Sequence, residues 1–135
     1  DCVLSCFMQN FKINDAMENF LNLKQAAKFY NEVMLLWTQY EQKLQFKFHV
    51  VKYEDLILNL KNTTLPILDF LNLDWNSALL EYQTTALSRE FINTPSYHQV
   101  LEKLHSNAVG RWKNYSSNFS GINSILSPWV KKYKY

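Results

Sequence analysis

One stretch constrains this chain more than any other: Phe46-Lys47-Phe48-His49-Val50-Val51-Lys52-Tyr53-Glu54-Asp55-Leu56. It is the only run that reads as a strand. Phe46, Phe48 and Val50 alternate onto one face, and β-branched residues cluster at Val50 and Val51. The run breaks at Tyr53-Glu54-Asp55, a polar corner suited to the start of a helix. Everything on either side reads as helix. A single strand leaves its backbone N–H and C=O groups without ladder partners. The pattern therefore predicts pairing either with a second copy of the chain or with strands encoded outside it, and the second alternative is preferred.

At 135 residues the chain amounts to one domain or less, with a modest core. An apolar fraction of 47% and an aromatic fraction of 16% exclude a disordered class. Lys and Arg number 14 against 12 Asp and Glu, for a net charge of +2. That balance excludes a general nucleic-acid binder but suits a single anionic ligand. The basic tail Lys131-Lys132 with Lys134 is short and reads as a solvated terminus. Only two glycines occur, Gly110 and Gly121, and neither sits in the kind of loop that cradles a phosphate in a self-contained nucleotide-binding α/β domain. The chain opens on Asp1-Cys2-Val3-Leu4-Ser5, without an initiator Met and already inside an apolar pattern.

Cys2 and Cys6 lie one helical turn apart, on one face but with poor vectors for a disulfide. They read as reduced core thiols, which favours a cytoplasmic location. The sequons at Asn62, Asn114 and Asn118 carry little weight in so Asn-rich a chain. No apolar run reaches membrane length and no signal peptide is visible, so no membrane association is expected.

The periodicity predicts a helix over residues 1–11, capped by Asp1 and burying Leu4, Phe7, Met8 and Phe11, with Ser5 on its polar side. A short helix 16–21 follows, capped by Asp15. The longest, 23–44 with Asn22 as cap, buries Ala26, Tyr30, Val33, Trp37, Tyr40 and Leu44, with Met34 beside them. After the strand come a helix over 54–60, another capped by Thr63 or Thr64 with Pro66 in its first turn, and a third over 77–83 capped by Asn76. Residues 84–95 read as a loop, 96–105 as a helix, and 122–133 as a last helix interrupted by Pro128.

His49, His98 and His105 form no metal set, since His98 and His105 stand two helical turns apart. Cys2 and Cys6 have no second pair of ligands, so no metal is expected. Glu54-Asp55 could serve acid/base work, but reads better as helix-start charge that favours the dipole. No Ser/His/Asp or Cys/His arrangement stands out.

Several motifs together resemble a known family. Asp1-Cys2-Val3-Leu4-Ser5-Cys6-Phe7-Met8-Gln9-Asn10-Phe11 is similar to the segment that follows an Arg-x-Pro in bacterial sulfotransferases, often fused to tetratricopeptide repeats and related to tyrosylprotein sulfotransferases. Val51-Lys52-Tyr53-Glu54-Asp55-Leu56 resembles their Val-Arg-Tyr-Glu-Asp-Leu, and Phe70-Leu71-Asn72-Leu73-Asp74-Trp75 their Phe-Leu-Gly-Leu-x-Trp. Thr94-Pro95-Ser96 with Gln99-Val100 resembles Thr-x-Ser-x-x-Gln-Val, and Val109-Gly110-Arg111-Trp112 closes the set.

The resemblance implies a fold that is mainly α with one strand, or at most two, forming the C-terminal half of an α/β P-loop-type sulfotransferase. Residues 1–135 would be a partial domain. The phosphosulfate loop, the catalytic acid/base and most of the parallel strands would lie in an N-terminal half, so no catalytic residue is expected here. The donor would be 3′-phosphoadenosine 5′-phosphosulfate (PAPS), leaving as PAP, and the acceptor a hydroxyl or amine on an unidentified protein, glycan or small molecule.

Nucleotide-binding roles fall on five positions by the same resemblance. Ser5 matches a serine that hydrogen-bonds the 3′-phosphate, and Arg111 a basic residue that reaches the nucleotide. Gly110 would allow close backbone approach, Ser96 matches a serine near the nucleotide, and Tyr53 would face it. Each has a plainer reading. Ser5 could be a polar-face serine, Arg111 a solvated cation, Gly110 a helix-start glycine, Ser96 an N-cap and Tyr53 a buried tyrosine. Trp112 reads as core. Leu101 and Lys103 stand where many relatives have Arg and Pro, and Ala108 where they have Ser. The rival reading is a non-catalytic helical interaction module that kept the family core. An exposed strand at 46–51 would also be open to self-association.

Overall fold

A computed structural model describes residues 1–87 and 104–135, arranged in two compact units. The first unit comprises residues 1–46 and 110–135, the second residues 47–109. Among the described residues all regular structure is helical.

The first unit is built on α1 (Cys2–Met8), α2 (Leu23–Lys43), α6 (Ser116–Phe119) and α7 (Asn123–Tyr133), with 3₁₀ turns at Met17–Phe20 and Arg111–Tyr115. Ala26 and Ala27 of α2 are both buried and carry no side chain beyond Cβ, so α1 can lie close against them. Val3 and Leu4 of α1 fill that contact, and Phe119 and Ile122 close the core from the far end of the sequence. Phe20, Leu23, Tyr30, Tyr115, Ile125 and Leu126 pack around it.

Asn22 caps α2 as its sequence position predicts, its side chain accepting from the N–H groups of Lys24 and Gln25. Ala16 holds the N-cap position of the 3₁₀ turn at Met17–Phe20, and the side chain just ahead of it that accepts is Asn14 rather than the expected Asp15: Asn14 Oδ1 accepts from the N–H groups of Ala16 and Met17. The inward face of α2 is rotated from the expected stripe. Met34 and Trp37 are half-buried, but Val33, Tyr40 and Leu44 are exposed. Polar side chains take their place against α7. Asn31 Oδ1 accepts from Trp129 Nε1 at 3.0 Å, and Thr38 Oγ1 lies 3.2 Å from Lys132 Nζ. In α1, Phe7 and Met8 are likewise exposed, because the helix ends at Met8 where Gln9 turns extended. Pro128 sits inside α7 without ending it.

The second unit holds α3 (Tyr53–Leu58), α4 (Leu60–Leu71) and α5 (Tyr82–Leu87), with 3₁₀ turns at Ser77–Glu81 and Ser106–Ala108. Asn59 ends α3 and caps α4, accepting from Asn62 N–H. The caps expected at Thr63 and Thr64 do something else: their hydroxyls donate to the carbonyls of Asp55 and Leu60. Pro66 therefore falls mid-helix rather than in a first turn. Asn72, at φ 54°, closes α4 in the left-handed region, a role Asn tolerates well. Residues 84–87, expected to open a loop, continue α5, while Leu104 and His105, expected to end a helix, are not helical.

The expected strand and α/β architecture are overturned. Residues 44–52 form neither helix nor ladder. Leu44 and Lys52 bracket them with extended backbone angles. Alternating side chains make a segment extended, but only a second segment alongside makes it a strand, and none pairs with it among the described residues. Instead Phe46 packs its ring against Trp37, with centroids 5.8 Å apart, and the His49 ring lies tilted 6.0 Å from that of Phe70. Phe46, Phe48, Val50 and Val51 remain exposed.

Candidate functional site

Three of the five predicted residues, Ser5, Gly110 and Arg111, belong to the first unit. Ser5 lies on the exposed side of α1, as its position in the helical pattern predicts. Its N–H donates to the Asp1 carbonyl at 2.8 Å, forming the first turn of the helix. Arg111 opens the 3₁₀ turn Arg111–Tyr115, is exposed, and meets no carboxylate in an ion pair among the described residues.

Gly110 precedes that turn at φ +71°, the left-handed region that favours glycine. The nearest atoms a Cβ there would meet belong to the Lys113 side chain, 3.6 Å away and in ordinary contact. The need for glycine is thus conformational rather than steric. The Gly110 carbonyl accepts from Lys113 N–H at 3.0 Å and closes the turn.

Asp1 holds these parts together. Its side chain does not cap α1. Its carboxylate crosses to the other end of the sequence, where Oδ2 accepts from Gly110 N–H at 2.7 Å and Oδ1 from Trp112 N–H at 2.9 Å. Both distances are those of strong, charge-assisted bonds. The two amides flank Arg111. One residue therefore links the helical turn that carries Ser5 to the turn that carries Arg111. Trp112 is exposed, with its ring 6.2 Å from that of Phe119, so the structure does not bear out its core reading.

In the second unit Tyr53 is the first residue of α3 and is exposed rather than buried. Its hydroxyl donates to the His105 carbonyl at 3.3 Å. Glu54 and Asp55 occupy the first turn of α3, where negative charge suits the dipole. Glu54 Oε2 is buried and meets no hydrogen-bond donor among the described residues. Ser96, with the motif around Thr94-Pro95-Gln99-Val100 and the departures at Leu101 and Lys103, lies outside the described residues.

Cys2 and Cys6 are both free thiols, Cys2 exposed and Cys6 half-buried, so only the second resembles the expected core thiol. Burial, then the neighbouring Cys2 and its hydrogen bond, push the Cys6 thiol up to about 11. Burial likewise raises the Tyr30 hydroxyl above its ordinary value. Among the described residues no group of three or more His, Cys, Asp or Glu side chains could hold a metal ion, and no helix is long and apolar enough to cross a membrane.

The contact missing from the sequence reading is Asp1 to Gly110 and Trp112. Its partners stand 109 and 111 positions away, and no local pattern announces a pair at that separation.

Comparison with known proteins bears on the same residues. The sulfotransferase family matches residues 1–77, which include Ser5, Tyr53 and the Phe70–Trp75 motif. Gly110 and Arg111 lie beyond the match. A protein of Aquifex aeolicus (strain VF5), described as an uncharacterized protein, is 22% identical over 133 residues, covering 98% of this chain. The chain spans 17% of that relative's length. No solved structure matches significantly. With more than half of its length matched, Ser5 and Tyr53 among the matched positions, the chain belongs to the sulfotransferase family.

Proposed function

We propose that this chain forms the nucleotide-facing part of an enzyme that moves a sulfuryl group from PAPS to a hydroxyl or amine acceptor. In that reaction the S–O bond to the nucleotide breaks and a new S–O or S–N bond forms at the acceptor. The acceptor loses its proton, and PAP leaves. The demands on the protein are positioning and charge stabilisation. The 3′-phosphate takes no part in the chemistry and serves as an anchor, suited to a short hydroxyl donor and a guanidinium.

The observation that carries this reading is the Asp1 link. Ser5 and Arg111, a hydroxyl and a cation from opposite ends of the sequence, sit on two turns joined by one carboxylate. The amides of Gly110 and Trp112 are already engaged by Asp1, so phosphate recognition here falls to the side chains of Ser5 and Arg111. Gly110 contributes the left-handed turn that sets the direction of Arg111. Tyr53 and Ser96 carry nucleotide roles by resemblance to the family. In this reading the phosphosulfate loop and the acid/base come from sequence other than residues 1–135, and residues 1–135 alone do not turn over.

Titration with PAP tests it. PAP should raise the melting temperature of the protein. Arg111→Ala should weaken binding about 10- to 100-fold, the range for a hydrogen bond to a charged group, and Ser5→Ala less. Absence of any PAP effect on the protein would favour the non-catalytic helical module. Sulfation by residues 1–135 alone would refute the division of labour.

A further inference from the structure

We infer that Asp1 is a positioning residue for 3′-phosphate recognition: its carboxylate fixes the turn that aims Arg111 and thereby sets the preference for a 3′-phosphorylated nucleotide. This rests on the PAPS reading above and deepens it. The geometry is specific. Arg111 is bracketed by the two amides that Asp1 holds, at 2.7 Å on Gly110 and 2.9 Å on Trp112. The turn is closed again by the Gly110 carbonyl and Lys113 N–H at 3.0 Å. With its backbone fixed on both sides, Arg111 retains only side-chain freedom, so less entropy is lost when the guanidinium meets an anion.

The same carboxylate bars the two amides to a phosphate. An incoming anion would have to displace a negative group already bonded twice, and two like charges would then share one turn. Asp1 therefore channels an anion toward side chains instead of backbone. Replacing it with Asn retains the shape but changes the chemistry. The carboxamide oxygen can accept one amide, and its NH₂ opposes the other. The turn should then loosen at Gly110 or at Trp112.

The experiment compares PAP with adenosine 5′-phosphate, which lacks the 3′-phosphate, by calorimetric titration of wild type, Asp1→Asn, Arg111→Ala and the double variant. Wild type should prefer PAP. Asp1→Asn should cut that preference about five- to tenfold, a coupling in the usual range for residues sharing a network, and leave the affinity for adenosine 5′-phosphate unchanged. In the Arg111→Ala background Asp1→Asn should have no further effect on the preference. A purely structural role would weaken both nucleotides alike, or act additively with Arg111→Ala, and either result overturns the inference. Asp1→Glu, which keeps the charge but lengthens the arm, is read in the same way if Asp1→Asn does not fold. A wild type that binds both nucleotides equally would instead remove the PAPS reading, so the two failures are distinguishable.

Discussion

Lys132 on α7 reaches Glu41 on α2, with Nζ 2.8 Å from Oε2, while Glu41 Oε1 accepts from Trp37 Nε1 at 2.7 Å. The Lys132 ammonium also lies 5.9 Å from the centroid of the Trp129 ring. Two long side chains thus tie the helices of the first unit at its solvent edge. The hydrogen bond from Lys132 holds the Glu41 carboxyl below its ordinary value, and the bond to Glu41 holds Lys132 above its own.

The sign of the pH dependence follows. Glu41 contributes stability that is present above its unfolded pKa, near 4.3 for a free Glu, and is lost as pH falls through the lower folded value. Lys132 contributes stability present below its unfolded pKa, about 10.4, and lost as pH rises through the higher folded value. The melting temperature of wild type should exceed that of Glu41→Gln at neutral pH. The gap should narrow toward about pH 3 and again toward about pH 11. Because the pair lies at the solvent edge, with the Lys132 and Glu41 side chains 36% and 22% exposed, the gap is small and should shrink in high salt. A gap that is flat across the whole range would refute the assignment.

Ala27 is fully buried where α1 meets α2. Ala27→Leu should cost about 1–3 kcal/mol by overpacking, since Val3 and Leu4 already fill the contact. Denaturant unfolding measures this. The same change at exposed Val33 should be close to neutral.

Gly110→Ala should destabilise by about 1–2 kcal/mol through the left-handed backbone. Gly110→Asn should be milder, because Asn enters that region more readily. Equal losses for the two variants would point to crowding by Lys113 and away from φ.

The two thiols should separate in reactivity. Cys2 is exposed, whereas Cys6 is half-buried and harder to ionise. Alkylation with iodoacetamide at about pH 8, near the pKa of a free thiol, followed by peptide mass mapping, should label Cys2 first. Labelling of both at one rate would contradict the described burial.

What the sequence made legible was local. Asn22 and Asn76 cap where their positions predict, because an Asn cap acts two or three residues away. The periodicity of the long helix gives its ends to within a residue. The helical pattern puts Ser5 on the outward side of the first helix, where it lies. The failures concern what lies far along the chain. The alternation at Phe46, Phe48 and Val50 is real, but a ladder partner is a non-local fact. The face of α2 is not legible locally, because Val33, Tyr40 and Leu44 make as good an apolar stripe as the one the helix uses. Only the arrival of Trp129 and Lys132 turns Asn31, Thr38 and Glu41 inward. For the candidate site, the family motifs point to Ser5 and Arg111, but in its local context the Asp1 carboxylate that joins their turns looks like a helix cap.

The core described for the first unit has a consequence for biosynthesis. Val3 and Leu4 leave the ribosome well before Phe119 and Ile122, which cover them and follow more than a hundred residues later. At the usual elongation rates of about 5–20 residues per second that is a wait of several seconds or more. Throughout it the apolar faces of α1 and α2 lack their lid, whereas residues 47–109 are contiguous and can collapse as soon as they emerge. Within these residues the nascent chain should therefore be open to chaperone capture at α1 and α2, and a ribosome stalled before Phe119 should hold them open to protease.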